Sequence, residues 1–189
     1  MKDPRSFSQD LEGKESKEVL EIIEGLQKES MEDNDYKKKS FQQINIELAK
    51  GYLYKKDGFY PYRGLEKEAI QLFNGKLDQL SLLEITLGGY FQGIQHRAFS
   101  FEGGLLFYSD QMEGRSWKKD FSIKREDFFE SLKNLDLGGW DPTYWNPSMV
   151  DGEEWELVLS FIDGSKKKFR GSNSYPYNFH ELVQLCGLK

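Results

Sequence analysis

EEWELVLSFIDGSKKKFR, residues 153–170, decides the fold. Trp155, Leu157, Leu159 and Phe161 alternate with Glu156, Val158 and Ser160, and a two-residue period places the odd positions on one face of a strand. That face must lie on a core. A two-residue turn at Asp163-Gly164 would set Lys168 opposite Leu159 and Arg170 opposite Leu157, which puts cations on the apolar face. A three-residue loop, Ile162-Asp163-Gly164, with Gly164 left-handed and a bulge behind it, sets Phe169 opposite Leu157 and Arg170 opposite Glu156 instead. This register satisfies both faces, with Lys167 laying its stem over Leu159 near the hairpin tip. The basic run then becomes one solvated strand face.

The loop beyond the hairpin leads into a helix. Asn178 can cap it while Glu181 reaches back, and Tyr177 can pack on Leu182 as a hydrophobic staple. Phe179, Leu182, Val183 and Cys186 form a stripe fit to lie on the sheet. Gly171, Ser172 and Asn173 have no such role, and their backbone amides could form a small anion nest. Upstream, residues 81–111 contain three strand-like runs punctuated by Gly88-Gly89, Gly93 and Gly103-Gly104, the pattern of an antiparallel meander. A further strand is expected over 116–123. A helix over 124–135 would carry Phe128, Phe129 and Leu132 inward. The expected class is α+β: an antiparallel sheet of about five or six strands with helices on one face, plus an N-terminal helical unit.

That unit is read from weaker signals. Residues 1–14 look like a disordered lead, 15–75 the helical unit, and 76–189 the α+β domain. Ser16 can cap a helix bearing Val19, Leu20, Ile22, Ile23 and Leu26. Residues 30–40 read as a linker or helix break, and a second helix should end near Gly51. GYLYKKDGFYPYRG, residues 51–64, suits a hairpin or ordered loop better than a helix. Leu65, Ala69, Leu72 and Phe73 then mark one side of a further helix.

Charge is segregated. Residues 1–35 hold eleven acids and five bases, so the remaining twenty-one of each balance. The acidic segment can be an arm that docks on a basic surface such as a nucleic-acid channel, or a solvated helix whose charge aids solubility. A single cysteine excludes an internal disulfide framework and suits a reducing cytoplasm. No run is apolar and long enough for a signal peptide or a bilayer crossing, so a cytoplasmic protein is expected.

No catalytic motif stands out. The two histidines, His96 and His180, have no partner at sequence spacing, and a nuclease-like cluster would have to join His96 and Arg97 to Glu102 or Asp110. There is no nucleophile elbow, P-loop or dinucleotide fingerprint. We therefore expect no catalytic, cofactor or metal residues. The candidates for partner binding are Glu32, Asp33 and Asp35; the aromatics Tyr52, Tyr54, Tyr60 and Tyr62 among lysines and Arg63; and Trp140, Tyr144 and Trp145. The competing readings are packing of the tyrosine stretch onto the sheet and, for Trp140, Tyr144 and Trp145, a loop lid over the core.

The stretch from Gly138 to Leu185, with its Trp loop, Asp-Gly-x-x-Trp-x-Leu, hairpin and Gly-Ser-Asn-x-Tyr-Pro before a helix, resembles small proteins of conjugative and phage-related elements of Gram-positive bacteria. The Gly-Gly-Tyr-Phe-x-Gly strand at 88–93 extends the resemblance to roughly residues 80–189. Several type II anti-CRISPR proteins are similar to this group. The resemblance implies a partner, a type II CRISPR effector nuclease with or without guide RNA, in a bacterial host cytoplasm. It supplies no catalytic residues. The alternatives are an interaction module of a mobile element with another partner, and a nuclease using His96 or His180.

Overall fold

The computed structural model describes residues 3–62, 64–89, 93–119 and 121–188. The chain forms two compact units. One comprises Met1–Pro61, Tyr144–Val150 and Ser172–Asn178; the other comprises Tyr62–Thr143, Asp151–Gly171 and Phe179–Lys189.

The first unit is built on three helices: α1 (Pro4–Leu11), α2 (Ser16–Glu32) and α3 (Tyr36–Asp57). Pro4–Leu11 is therefore helical, within the span 1–14 expected to be an unstructured lead. Asp3 caps α1 by accepting from the amides of Arg5 and Ser6, and Phe7 and Leu11 are buried. Glu15, rather than Ser16, is the N-cap of α2, in a capping box with Glu18. Val19 and Ile23 carry its buried stripe. The break between α2 and α3 falls at 33–35, inside the expected 30–40 segment, where Asp35 caps α3 through the amides of Lys37 and Lys38.

Helix α3 does not end near Gly51. It continues through Tyr52, Tyr54 and Lys56 and stops at Gly58, whose left-handed conformation closes the last turn. The Tyr-rich stretch is thus helical in its first half. Buried positions along α3 follow helical spacing, but several are polar: Gln42, Asn45, Glu47 and Lys50 stand beside Ile46, Ala49 and Leu53. Glu47 and Lys50 face each other at 3.8 Å, and Glu47 also accepts the Tyr177 amide at 2.8 Å. The 172–178 segment is held on α3 in this way.

The second unit carries the sheet. Its strands are β1 (Leu80–Gly89), β2 (Gly93–Ser100), β3 (Phe107–Ser109), β4 (Thr143–Trp145), β5 (Glu153–Phe161) and β6 (Lys166–Ser172), in the order β3-β2-β1-β5-β6-β4. From Tyr144 and from Ser172 onward, β4 and β6 pass into the first unit. Antiparallel register sets Leu83 between Phe99 and Leu159, and Ile85 between Arg97 and Leu157. A bulge at Ser81 lets Leu80 face inward with Phe161 although Leu83 does too. The β6–β4 edge runs parallel: the Arg170 amide donates to the Pro142 carbonyl, and the Asn146 amide to that of Ser172.

The 153–170 hairpin folds in the three-residue register. Gly164 is left-handed at φ 81°, its amide donates to the Phe161 carbonyl, and the Phe161 amide donates to the Ser165 carbonyl. Counting outward from that bracket sets Phe169 opposite Leu157, and both are fully buried. Lys168 pairs with Glu156 at 2.5 Å on the other face.

Helices α4 (Gly64–Leu77), α5 (Arg125–Asn134) and α6 (Phe179–Leu185) all pack on the odd face. Phe73 meets Phe161 and Phe169 edge-on, Phe128 lies 4.8 Å from Phe99, and Phe179 lies 4.6 Å from Trp155. So α4, expected within the N-terminal unit, belongs to the sheet. Ile70, Phe73 and Leu77 face inward; of the expected stripe Phe73 is on that side, Ala69 and Leu72 are exposed, and the Leu65 side chain lies outside the described residues. Gly138, in a 3-10 turn at Leu137–Gly139, sits so close to α4 that a β-carbon would lie 2.6 Å from the Ile70 Cα. The strand expected at 116–123 is reduced to one bridge, between Lys118 and Tyr108. The tip at 90–92 lies outside the described residues.

Candidate partner-binding surface

The acids at the α2–α3 junction do structural work. Besides Asp35, Asp33 accepts the Asp35 amide and lies 3.9 Å from the Lys38 ammonium. Glu32, at the last turn of α2, is exposed. Glu18, Glu21 and Glu24 are exposed along the same helix, so the acidic excess read from the sequence is displayed on a folded surface. Lys37, Lys38 and Lys39 follow at once and offset the junction itself.

Tyr36, the first residue of α3, stacks on Trp145 with ring centroids 5.2 Å apart and planes 23° apart. Tyr36 remains 62 % exposed, so the stack is a surface feature rather than a core contact. Met31, shortly before Tyr36, and Met149 and Val150, shortly after Trp145, are also exposed. The structure thus brings Trp145 to the acidic junction through Tyr36, a residue the sequence reading passed over. A Tyr next to a capping Asp was the available signal, but nothing in the sequence joined residue 36 to residue 145.

The other aromatic candidates divide. Trp140 is buried against Trp155 and Phe169, Tyr144 is fully buried, and Tyr60 is buried against Tyr177 and the Lys50 ammonium. These three are packing residues. Tyr54 also meets Tyr177, at 5.5 Å, and the Tyr52 hydroxyl donates to the Lys14 carbonyl. Tyr62 lies where a β-carbon on Gly139 would touch its ring. Tyr54 and Tyr60 thus meet on the Tyr177 ring, while Tyr52 is engaged with Lys14 instead.

The histidines are separate. His96 is buried on β2, with Nε2 4.0 Å from Glu84, and Glu84 is ion-paired with Arg115. Burial holds its pKa below the ordinary 6.5, and the Arg115 charge lowers it further. Arg97, on the opposite face, donates to the Gly187 carbonyl and lies 3.9 Å from Asp110, which Lys118 also pairs. The adjacent His96 and Arg97 therefore point away from each other. His180 contacts Gln184 one turn on, at 2.7 Å. Cys186 is fully buried, and burial pushes its thiol pKa far up, so it is no thiolate.

Asn173 takes a left-handed conformation at φ 50° and lines a cavity of about 380 Å³ with Ser174, Tyr52 and Lys55. Among the described residues, no three His, Cys, Asp or Glu side chains gather as a metal site, and no helix is long and apolar enough to cross a membrane. No protein-family model, curated protein or solved structure matches the chain.

Proposed function

We propose that this protein is a non-catalytic inhibitor that binds a type II RNA-guided effector nuclease, alone or with its guide RNA, through the acidic and aromatic surface of the helical unit. The observation that carries the reading is the Tyr36–Trp145 stack, an exposed ring on a half-buried one, beside Glu32, Asp33 and Asp35 in the chain. Aromatic faces and carboxylates together suit arginine and lysine side chains. Effectors of this class hold nucleic acid in a positively charged channel and read the adjacent motif through arginines. The exposed glutamates of α2 add a field that steers a basic partner. The resemblance of residues 80–189 to proteins of Gram-positive mobile elements supplies the identity of the partner.

Sizing chromatography of the full chain with several type II effectors, with and without guide RNA, tests this. Co-elution with at least one is expected. Migration apart from all of them would leave the surface to a different basic partner.

A further inference from the structure

Between α1, α2 and α3 lies a cavity of about 560 Å³ with a mixed lining. Phe7, Leu11, Ile22 and Leu26 give it apolar walls. Gln42 lines it from α3 and is only 7 % exposed. Its Nε2 donates to the Glu29 carboxylate at 3.4 Å, and a carboxylate can only accept, so this contact fixes the amide's orientation. The Gln42 Oε1 is left buried with no donor among the described residues. A buried acceptor without a donor is uncommon in folded proteins and asks for one. The charged lining holds three acids, Asp10, Glu29 and Asp33, against two lysines, Lys14 and Lys38, and Lys38 is engaged with Asp33.

We infer that this cavity receives an arginine side chain of the protein partner. A guanidinium offers donors in a fixed plane, enough to serve the Gln42 carbonyl and the Glu29 carboxylate together, and its three-carbon stem suits the apolar walls. Lysine presents a compact, strongly hydrated charge that fits a buried amide oxygen less well. The inference rests on the proposed reading for the partner's identity, while the guanidinium site itself is argued from the cavity alone. Asp33 lines the cavity and also belongs to the acidic junction, so one arginine-bearing surface could engage both.

The test uses the full chain and two small probes of nearly equal shape, n-butylguanidinium and the neutral n-butylurea, titrated by NMR. The expected result is saturable binding of butylguanidinium with a Kd on the order of 1 mM. Butylurea should bind at least about tenfold more weakly, since it lacks the charge that carboxylates favour. Gln42→Leu and Glu29→Gln should each weaken butylguanidinium by roughly fivefold or more, and Leu26→Trp, which fills the cavity, should abolish it. Glu29 is exposed, so its variant reports even if a core substitution unfolds the chain. No saturable binding, equal affinity for the two probes, or unchanged affinity in Glu29→Gln would each overturn the inference. No nuclease is present, so this outcome is independent of whether the effector is the partner.

Discussion

Tyr36 and Trp145 lie stacked at 5.2 Å although they are far apart in the sequence, one opening a helix and the other closing a strand. The stack exists because Asp35 starts α3 at that point and the Asn146 amide ties the following segment to the Ser172 carbonyl. A surface stack of an exposed Tyr36 on a half-buried Trp145 costs modest stability to remove and can cost much affinity. We expect Tyr36→Ala and Trp145→Ala each to lower stability by about 1 kcal/mol, and to weaken partner binding by roughly 2 kcal/mol or more, about thirtyfold. Urea unfolding and a binding titration on the same variants check the two halves separately.

The acids at the junction should not behave alike. Glu32→Lys should weaken binding, more so at low salt, with the unfolding midpoint nearly unchanged, because Glu32 is exposed and caps nothing. Asp35→Lys should also lose about 1 kcal/mol of stability, since it removes the N-cap of α3. Equal stability loss in the two variants would count against this assignment of roles. Deleting the chain before Lys14 removes buried Phe7 and Leu11, so it tests packing as well as charge.

Glu47 and Lys50 form a buried pair that also fixes the Tyr177 amide. Glu47→Ala removes the carboxylate beside the buried Lys50 ammonium and should cost about 3 kcal/mol. The double variant Glu47→Gln with Lys50→Met should recover most of that loss, because the charge is gone and an amide can still accept the Tyr177 N–H. Urea midpoints decide it; a double variant as unstable as Glu47→Ala would argue against the pair.

His96 gives a pH signature. Burial lowers its folded pKa below the unfolded 6.5, so the unfolded chain binds more protons as the medium acidifies. Its contribution is complete above about pH 6.5 and is lost as pH falls through that value toward the lowered pKa. His96→Gln should flatten the decline in stability between about pH 7.5 and 5. In the proposed account neither His96→Ala nor His180→Ala alters inhibition beyond modest stability effects; a hundredfold loss in a folded variant would favour the nuclease reading.

Much of the sheet was legible because one face is largely apolar. The alternation from Trp155 to Phe161, the Gly164 loop and the Phe128, Phe129 and Leu132 stripe each admit one sensible reading. Helix α3 was not, since its buried positions hold Gln42, Asn45, Glu47 and Lys50, which read as surface. Without an apolar stripe, the tyrosines and Asp57-Gly58 read as a turn. Helix α1 is short and mostly polar, and only its tertiary contacts reveal it. Of the candidate site, the acids and Trp145 were named from sequence, but their meeting through Tyr36 depends on a long-range contact that no local pattern encodes.

Target cleavage by guide-loaded type II effectors, with the full chain in molar excess, tests the central claim most directly. The account predicts that at least one effector is inhibited, and that the double variant Tyr36→Ala, Trp145→Ala, confirmed as folded, fails to inhibit it. Full cleavage by every effector, or inhibition undiminished in the double variant, would contradict it.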